Sequence, residues 1–305
     1  MSFNDNTRID SGRVRDSRGR GGRGGKIAAG GGGILVLLIA SLLGINPALL
    51  EGLGLGGDTV QEQPADGSGT RAVDECTTGA DADARTDCRI VATTQSLDAF
   101  WVPYLERYGE TLAEPAVEIF ADSVSTRCGA ASSAVGPFYC PADETAYFDT
   151  GFFGELSSRF GSDGGALAEE YVVAHEYGHH VQNHLGTLRN SQEGGTGPRS
   201  GAVRVELQAD CFAGLWAAHA SQTRNAEGET FMEPFTETDL RSALSAAAAV
   251  GDDRIQQAAT GRVSPEAWTH GSSAQRQAWF LAGYRTGDIN RCDTLGAADL
   301  DRPAS

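Results

Sequence analysis

The sequence predicts an α+β fold, mostly helical with a small sheet, preceded by one transmembrane helix. Three observations predict it. Apolar residues recur at helical spacing through most of the chain after residue 95, only two short stretches alternate as strands do, and a charge-free apolar run lies near the N-terminus. With 305 residues and 40% hydrophobic content the chain can bury a sizeable core, and no internal repeat divides it.

In chain order, residues 1–26 form a basic tail with a net charge of +4, leaving −21 for the remainder out of a total of −17. No charged residue occurs between Lys26 and Glu51. The run centred on Ile34 to Ile45 therefore reads as a membrane anchor over 27–50, close to the ~20 residues a bilayer demands. Its basic flank should stay in the cytoplasm, sending everything after it outward. A cleavable signal peptide shares the basic-then-apolar order, but no A-x-A cleavage site is evident and the tail is long for one. The Arg-Gly run from Arg18 to Lys26 resembles a nucleic-acid segment, yet a remainder at −21 excludes nucleic acid as the main partner. The lipid bilayer is the expected partner of 27–50.

Six cysteines (Cys76, Cys88, Cys128, Cys140, Cys211, Cys292) are even in number, none in a C-x-x-C pair, which points to disulfides in an exported domain. Of fifteen possible connectivities the sequential pairing is the one expected. The stretch 51–75 is small, polar and aperiodic, a flexible linker, and the folded domain is expected over 76–305.

Within that domain Leu97, Phe100, Trp101, Tyr104 and Leu105 mark a helix over 95–108, capped by Thr94 or Ser96 and ended by Gly109. Residues 116–120 and 146–148 alternate as strands. Phe152, Phe153, Leu156 and Phe160 suit a helix closed by Gly161. The next is expected over 166–185, with Ser162 or Asp163 as its cap and Gly178 marking a close approach. Further helices follow at 203–216, at 237–250 behind a Thr236/Asp239 capping box, and from Ser272 or Ser273 to Gly287.

The helix over 166–185 carries His175-Glu176-Tyr177-Gly178-His179. Histidines four apart on a helix share a face and can converge on one Zn²⁺, with Glu176 beside it as a base for a metal-bound water. A five-residue pattern can arise by chance, so its neighbours decide. A catalytic zinc needs a third protein ligand and an open position. Glu206 and Asp210, four apart on another apolar helix, are costly there unless a cation awaits them. Glu206 is expected as the third ligand and Asp210 as the carboxylate that orients a ligand histidine, with a ligand role for Asp210 as the alternative. Pairing of both acids with arginines such as Arg204 is the competing structural explanation. His180 and His184 point away from the first pair and read as packing or surface residues, and His219 as structural. His270, in a polar turn before an apolar helix, is placed to reach a cleft and stabilise an oxyanion, with Arg276 a weaker candidate.

These residues resemble the neutral zinc metallopeptidase family of bacterial membrane-anchored proteins. The resemblance spans about residues 85–295. It runs through Gly136-Pro137-Phe138-Tyr139-Cys140-Pro141, Tyr147-Phe148-Asp149, His175 to Asn183, Glu206 to Gly214, Gly251 to Ile255 and Thr269 to Arg276. It implies a zincin-like peptidase domain behind a membrane segment, and supplies no substrate. By analogy with other zincins, Tyr147 and Phe148 are expected on an edge strand that takes substrate as an added strand. The expected function is a membrane-anchored, extracytoplasmic zinc endopeptidase acting on peptides or proteins of the cell envelope, with one catalytic Zn²⁺. Its rival is a non-catalytic zinc-binding scaffold or regulator of a membrane partner, for which Glu176 would have no use.

Overall fold

Helices outweigh strands among the described residues of the computed structural model, which are 2–18 and 72–303. The strands are β1 (Val14–Asp16), β2 (Ala116–Phe120), β3 (Ser123–Thr126), β4 (Gly129–Ser132), β5 (Phe138–Cys140) and β6 (Thr145–Asp149). One sheet has the order β1-β2-β6-β5, with β2 parallel to β1 and to β6 and β5 antiparallel to β6; β3 and β4 form a separate hairpin. The alternation read in the sequence is thus a sheet, but Tyr147 and Phe148 do not lie on its edge. β6 is hydrogen-bonded on both sides, Phe148 is fully buried, and the Tyr147 hydroxyl donates to Asp143 at 2.9 Å. The edge strands of this sheet are β1 and β5.

Eight helices follow among the described residues: α1 (Gly79–Ala84), α2 (Thr86–Glu106), α3 (Thr150–Ser158), α4 (Ala166–His184), α5 (Gly201–His219), α6 (Glu237–Ala249), α7 (Asp252–Thr260) and α8 (Ser273–Thr286). α2 starts before the expected 95 because Ile90, Val91 and the disulfide-bonded Cys88 are also core residues. α5 is capped by Ser200, α6 by the Thr236/Asp239 box and α8 by Ser272 with Gln275. The cap expected for α4 is absent: the chain enters through Gly164 and Gly165, both at positive φ, and Gly165 takes the cap position without a side-chain bond. The disulfides are Cys76–Cys88, Cys128–Cys140 and Cys211–Cys292, the sequential pairing.

The N-terminal residues correct one expectation. Residues 2–18, read as part of a separate tail, are built into the domain. Phe3 and Val14 are buried, and Val14 registers against Val117. Arg13 pairs with Asp98, which also accepts a 2.8 Å hydrogen bond from the Tyr177 hydroxyl on α4; Arg18 bridges Asp16 and Asp87 at 2.7 Å each. No helix among the described residues is long and apolar enough to cross a membrane. The expected anchor at 27–50 lies outside the described residues, as does most of the linker, whose end Ala72–Glu75 forms a short 3-10 turn.

Candidate metal centre

α4 and α5 meet where α4 has no side chain. A Cβ at Gly178 would come 3.2 Å from the backbone Cα and O of Ala209, so any larger residue would push the helices apart. Three residues before this contact and one residue after it, His175 and His179 of α4 face Glu206 and Asp210 of α5. His175 Nε2 lies 3.1 Å from Glu206 Oε2, and His179 Nε2 lies 3.5 Å from Glu206 Oε1. The three donor atoms fall within 4.8 Å of one another. Tetrahedral ligands about 2.0–2.1 Å from zinc stand about 3.3 Å apart, a spacing close to the two histidine-to-Glu206 distances, so the donor set suits such an ion.

Each histidine is held by its other nitrogen. His175 Nδ1 donates to Asp210 Oδ1 at 2.9 Å, and His179 Nδ1 to the Gln182 side-chain oxygen at 2.8 Å, which leaves both Nε2 atoms toward Glu206. Asp210 is fully buried and accepts three further bonds: from the Tyr171 hydroxyl at 2.5 Å, and from Arg276 Nε and a terminal Arg276 nitrogen at 2.9 and 3.0 Å. Its arginine is therefore Arg276; Arg204 instead donates to the carbonyls of Thr294, Leu295 and Ala297. Burial works to raise the Asp210 pKa, but Arg276 and His175 outweigh it and hold it below the usual range. Glu206 behaves alike: burial raises it, while His179, His270 and the bond to His175 drive it well down. For His175, burial lowers the pKa, but Asp210 and Glu206 lift it to about 9. Two buried anions thus hold positive charge at this point, the charge a divalent cation would supply.

Glu176 lines the same cleft and is nearly buried. Burial pushes its carboxyl above the usual range, against the pull of His179 and His175. Across the cleft, His270 sits on the turn before α8. Its Nδ1 is bonded to the Thr269 hydroxyl at 2.9 Å and to Asp252 Oδ1 at 3.3 Å, while Asp252 Oδ2 accepts the backbone N–H groups of Thr269, His270 and Gly271 at 2.7, 2.7 and 3.0 Å. Asp252 therefore fixes both the turn and the ring. Burial would lower the His270 pKa, but Glu206 and Asp252 raise it, favouring the form that donates from both nitrogens.

Of the residues expected at the site, His175, Glu176, His179, Glu206, Asp210 and His270 are brought together; Tyr147 and Phe148 are not. His180 is a packing residue, bonded to the Tyr139 hydroxyl at 3.0 Å and the Ala113 carbonyl at 2.7 Å. His219 stacks on Phe100. Sequence reasoning missed Gln182, Tyr171 and Asp252. Gln182 was open to discovery, since it follows His179 by one helical turn.

The fold and site together define a mostly helical α+β protein with a buried two-histidine, one-carboxylate site capable of holding a metal ion. The family described as "Putative neutral zinc metallopeptidase" matches residues 2–295, and the chain belongs to it. The chain is 53% identical over 266 residues to the uncharacterized protein Rv2575 of Mycobacterium tuberculosis (strain H37Rv), covering 86% of each. It is 39% identical over 282 residues to the uncharacterized protein YpfJ of Escherichia coli (strain K12), covering 90% of this chain and 91% of that one. No solved structure gives a significant match.

Proposed function

We propose that the protein is a zinc-dependent endopeptidase with a zincin-like domain, acting on peptides or proteins of the cell envelope. The observation that carries the reading is Glu176: a nearly buried carboxylate beside the donor set, with no hydrogen bond or ion pair among the described residues to give it a structural task. Zinc held by His175, His179 and Glu206 would supply an acidified water and a polarised substrate carbonyl. Glu176 takes the proton of the attacking water and returns it to the leaving amine, a double duty suited to a carboxyl raised by burial. His270, held by Asp252 at Nδ1, donates from Nε2 to the oxygen on which negative charge develops. Asp210 and Gln182 keep the two histidines in the tautomer that leaves Nε2 free.

Three disulfides support an oxidising, extracytoplasmic setting for the domain. The contacts of residues 2–18 with the domain favour a tail on the domain's side of any bilayer, so the cytoplasmic N-terminus is not part of this proposal. The lipid bilayer stays the proposed partner of 27–50. The reading is tested by stripping the full-length protein with a chelator: peptide cleavage is expected to vanish and to return with one equivalent of zinc. Cleavage that survives complete stripping contradicts it.

A further inference from the structure

The cleft extends past the donor atoms into an apolar recess. Val172 lies one turn before Glu176 on α4 and so shares its face. The same cleft is lined by Val250 at the end of α6, Ile255 on α7, and the rings of Phe152 and Phe160, whose centroids are 6.3 Å apart. Gly136, at φ 77°, completes the wall: a Cβ there would come 3.1 Å from the Phe152 ring, so its absence lets that ring occupy its place. Beyond Glu176 at the donor set, the charged groups near the recess are already paired. At its mouth Glu155 and Arg159 face each other at 3.6 Å, and the Arg159 guanidinium lies over the Phe160 ring. Arg276 is already committed to Asp210.

The whole cleft, donor side chains included, measures about 120 Å³. An apolar protein cavity of ~150 Å³ accepts a benzene ring, so the apolar end of this cleft takes no more than one side chain, of Phe or Leu size at most. Resting on the peptidase reading above, we infer that this recess is the specificity subsite, selecting substrates with one Phe- or Leu-sized apolar residue flanking the cleaved bond. A charged side chain seated among these apolar walls would lose its hydration.

The test uses the full-length, zinc-loaded protein and peptides identical except at one residue beside the cleaved bond. Phe and Leu peptides are expected to exceed the Gly peptide in kcat/KM by about tenfold to a hundredfold, with Trp below Phe and Asp and Lys at or below Gly. Ile255→Arg, at a half-buried position that is not among the metal donors, should erase the preference with zinc content unchanged. In parallel, zinc-loaded Glu176→Gln should bind the Phe peptide more tightly than the Gly peptide by calorimetry. Cleavage without regard to the flanking residue, or a preference that Ile255→Arg leaves intact, overturns the subsite while the peptidase reading stands. Selective binding of the Phe peptide without cleavage by wild type upholds the recess as an apolar binding site and overturns the peptidase reading. Absence of both overturns the two together.

Discussion

Asp210→Asn changes one charge at the centre of the site and almost no volume. In the native protein this carboxylate accepts from His175, Tyr171 and twice from Arg276, with no exposure to water. An amide cannot accept at both ends, so one bond, to His175 or to Arg276, becomes a donor facing a donor. On the metal side, loss of a carboxylate that orients a ligand histidine costs about 10- to 100-fold in affinity. On the folding side, the Arg276 guanidinium is left buried without its counter-charge, which costs about 3–5 kcal/mol. The pH dependence has a definite sign. The folded-state pKa of Asp210 is depressed, so its contribution is full above about pH 4 and is lost as pH falls below that, where variant and wild type should converge. The assays are competition against a chromophoric chelator for zinc and urea unfolding of the metal-free protein. Arg276→Met separates the two effects: it should destabilise the fold by a similar amount and weaken zinc less, because the bond from His175 to Asp210 survives. Zinc affinity within twofold of wild type in Asp210→Asn, with superimposable unfolding curves, would refute the role given to this residue.

Three other outcomes are expected. The Cys211–Cys292 bridge spans a sequence separation of 81, so replacing both cysteines by alanine should cost about 4 kcal/mol in urea unfolding; a loss below about 1 kcal/mol would contradict this. Glu170 on α4 is fully buried with neither oxygen hydrogen-bonded, and burial, against the pull of the Arg89 charge, pushes its pKa up to about 8. A raised carboxyl pKa costs nothing below the unfolded value and erodes stability as pH rises toward the folded one, roughly 3 kcal/mol by pH 7, so Glu170→Gln should flatten the stability profile between about pH 5 and 7. An unchanged slope would sink that assignment. Finally, a cysteine placed at exposed Asp5 should react with a membrane-impermeant maleimide on intact cells as readily as one at exposed Val263; labelling at Val263 alone would contradict the docked N-terminal segment.

The centre of the site was legible because its signals are local. Histidines and carboxylates four apart on apolar helices declare a shared face, and a threonine three residues before an aspartate declares a cap, so α4, α5 and the start of α6 emerge from short windows. What was illegible depends on distant partners. β1 is three residues long, and only its pairing with β2, about a hundred residues on, makes it a strand. Tyr147 and Phe148 were correctly placed in a strand and wrongly on an edge, because strand order is set by pairing that no single window contains. Asp252 acquires its purpose only when the turn carrying His270, 18 residues later, folds back onto it. The missing cap of α4 has the same lesson at short range: the Ser162 hydroxyl accepts from Gly164 N–H at 3.2 Å, ahead of the helix it was expected to begin.

The most direct test of the central claim compares full-length wild type with Glu176→Gln for zinc content and peptide cleavage in the same preparation. Both proteins should bind one equivalent of zinc, because Glu176 is not among the donor atoms, and the variant should lose cleavage by at least about a hundredfold, the contribution of a positioned general base. A variant that keeps its zinc and cleaves as fast as wild type would contradict the account.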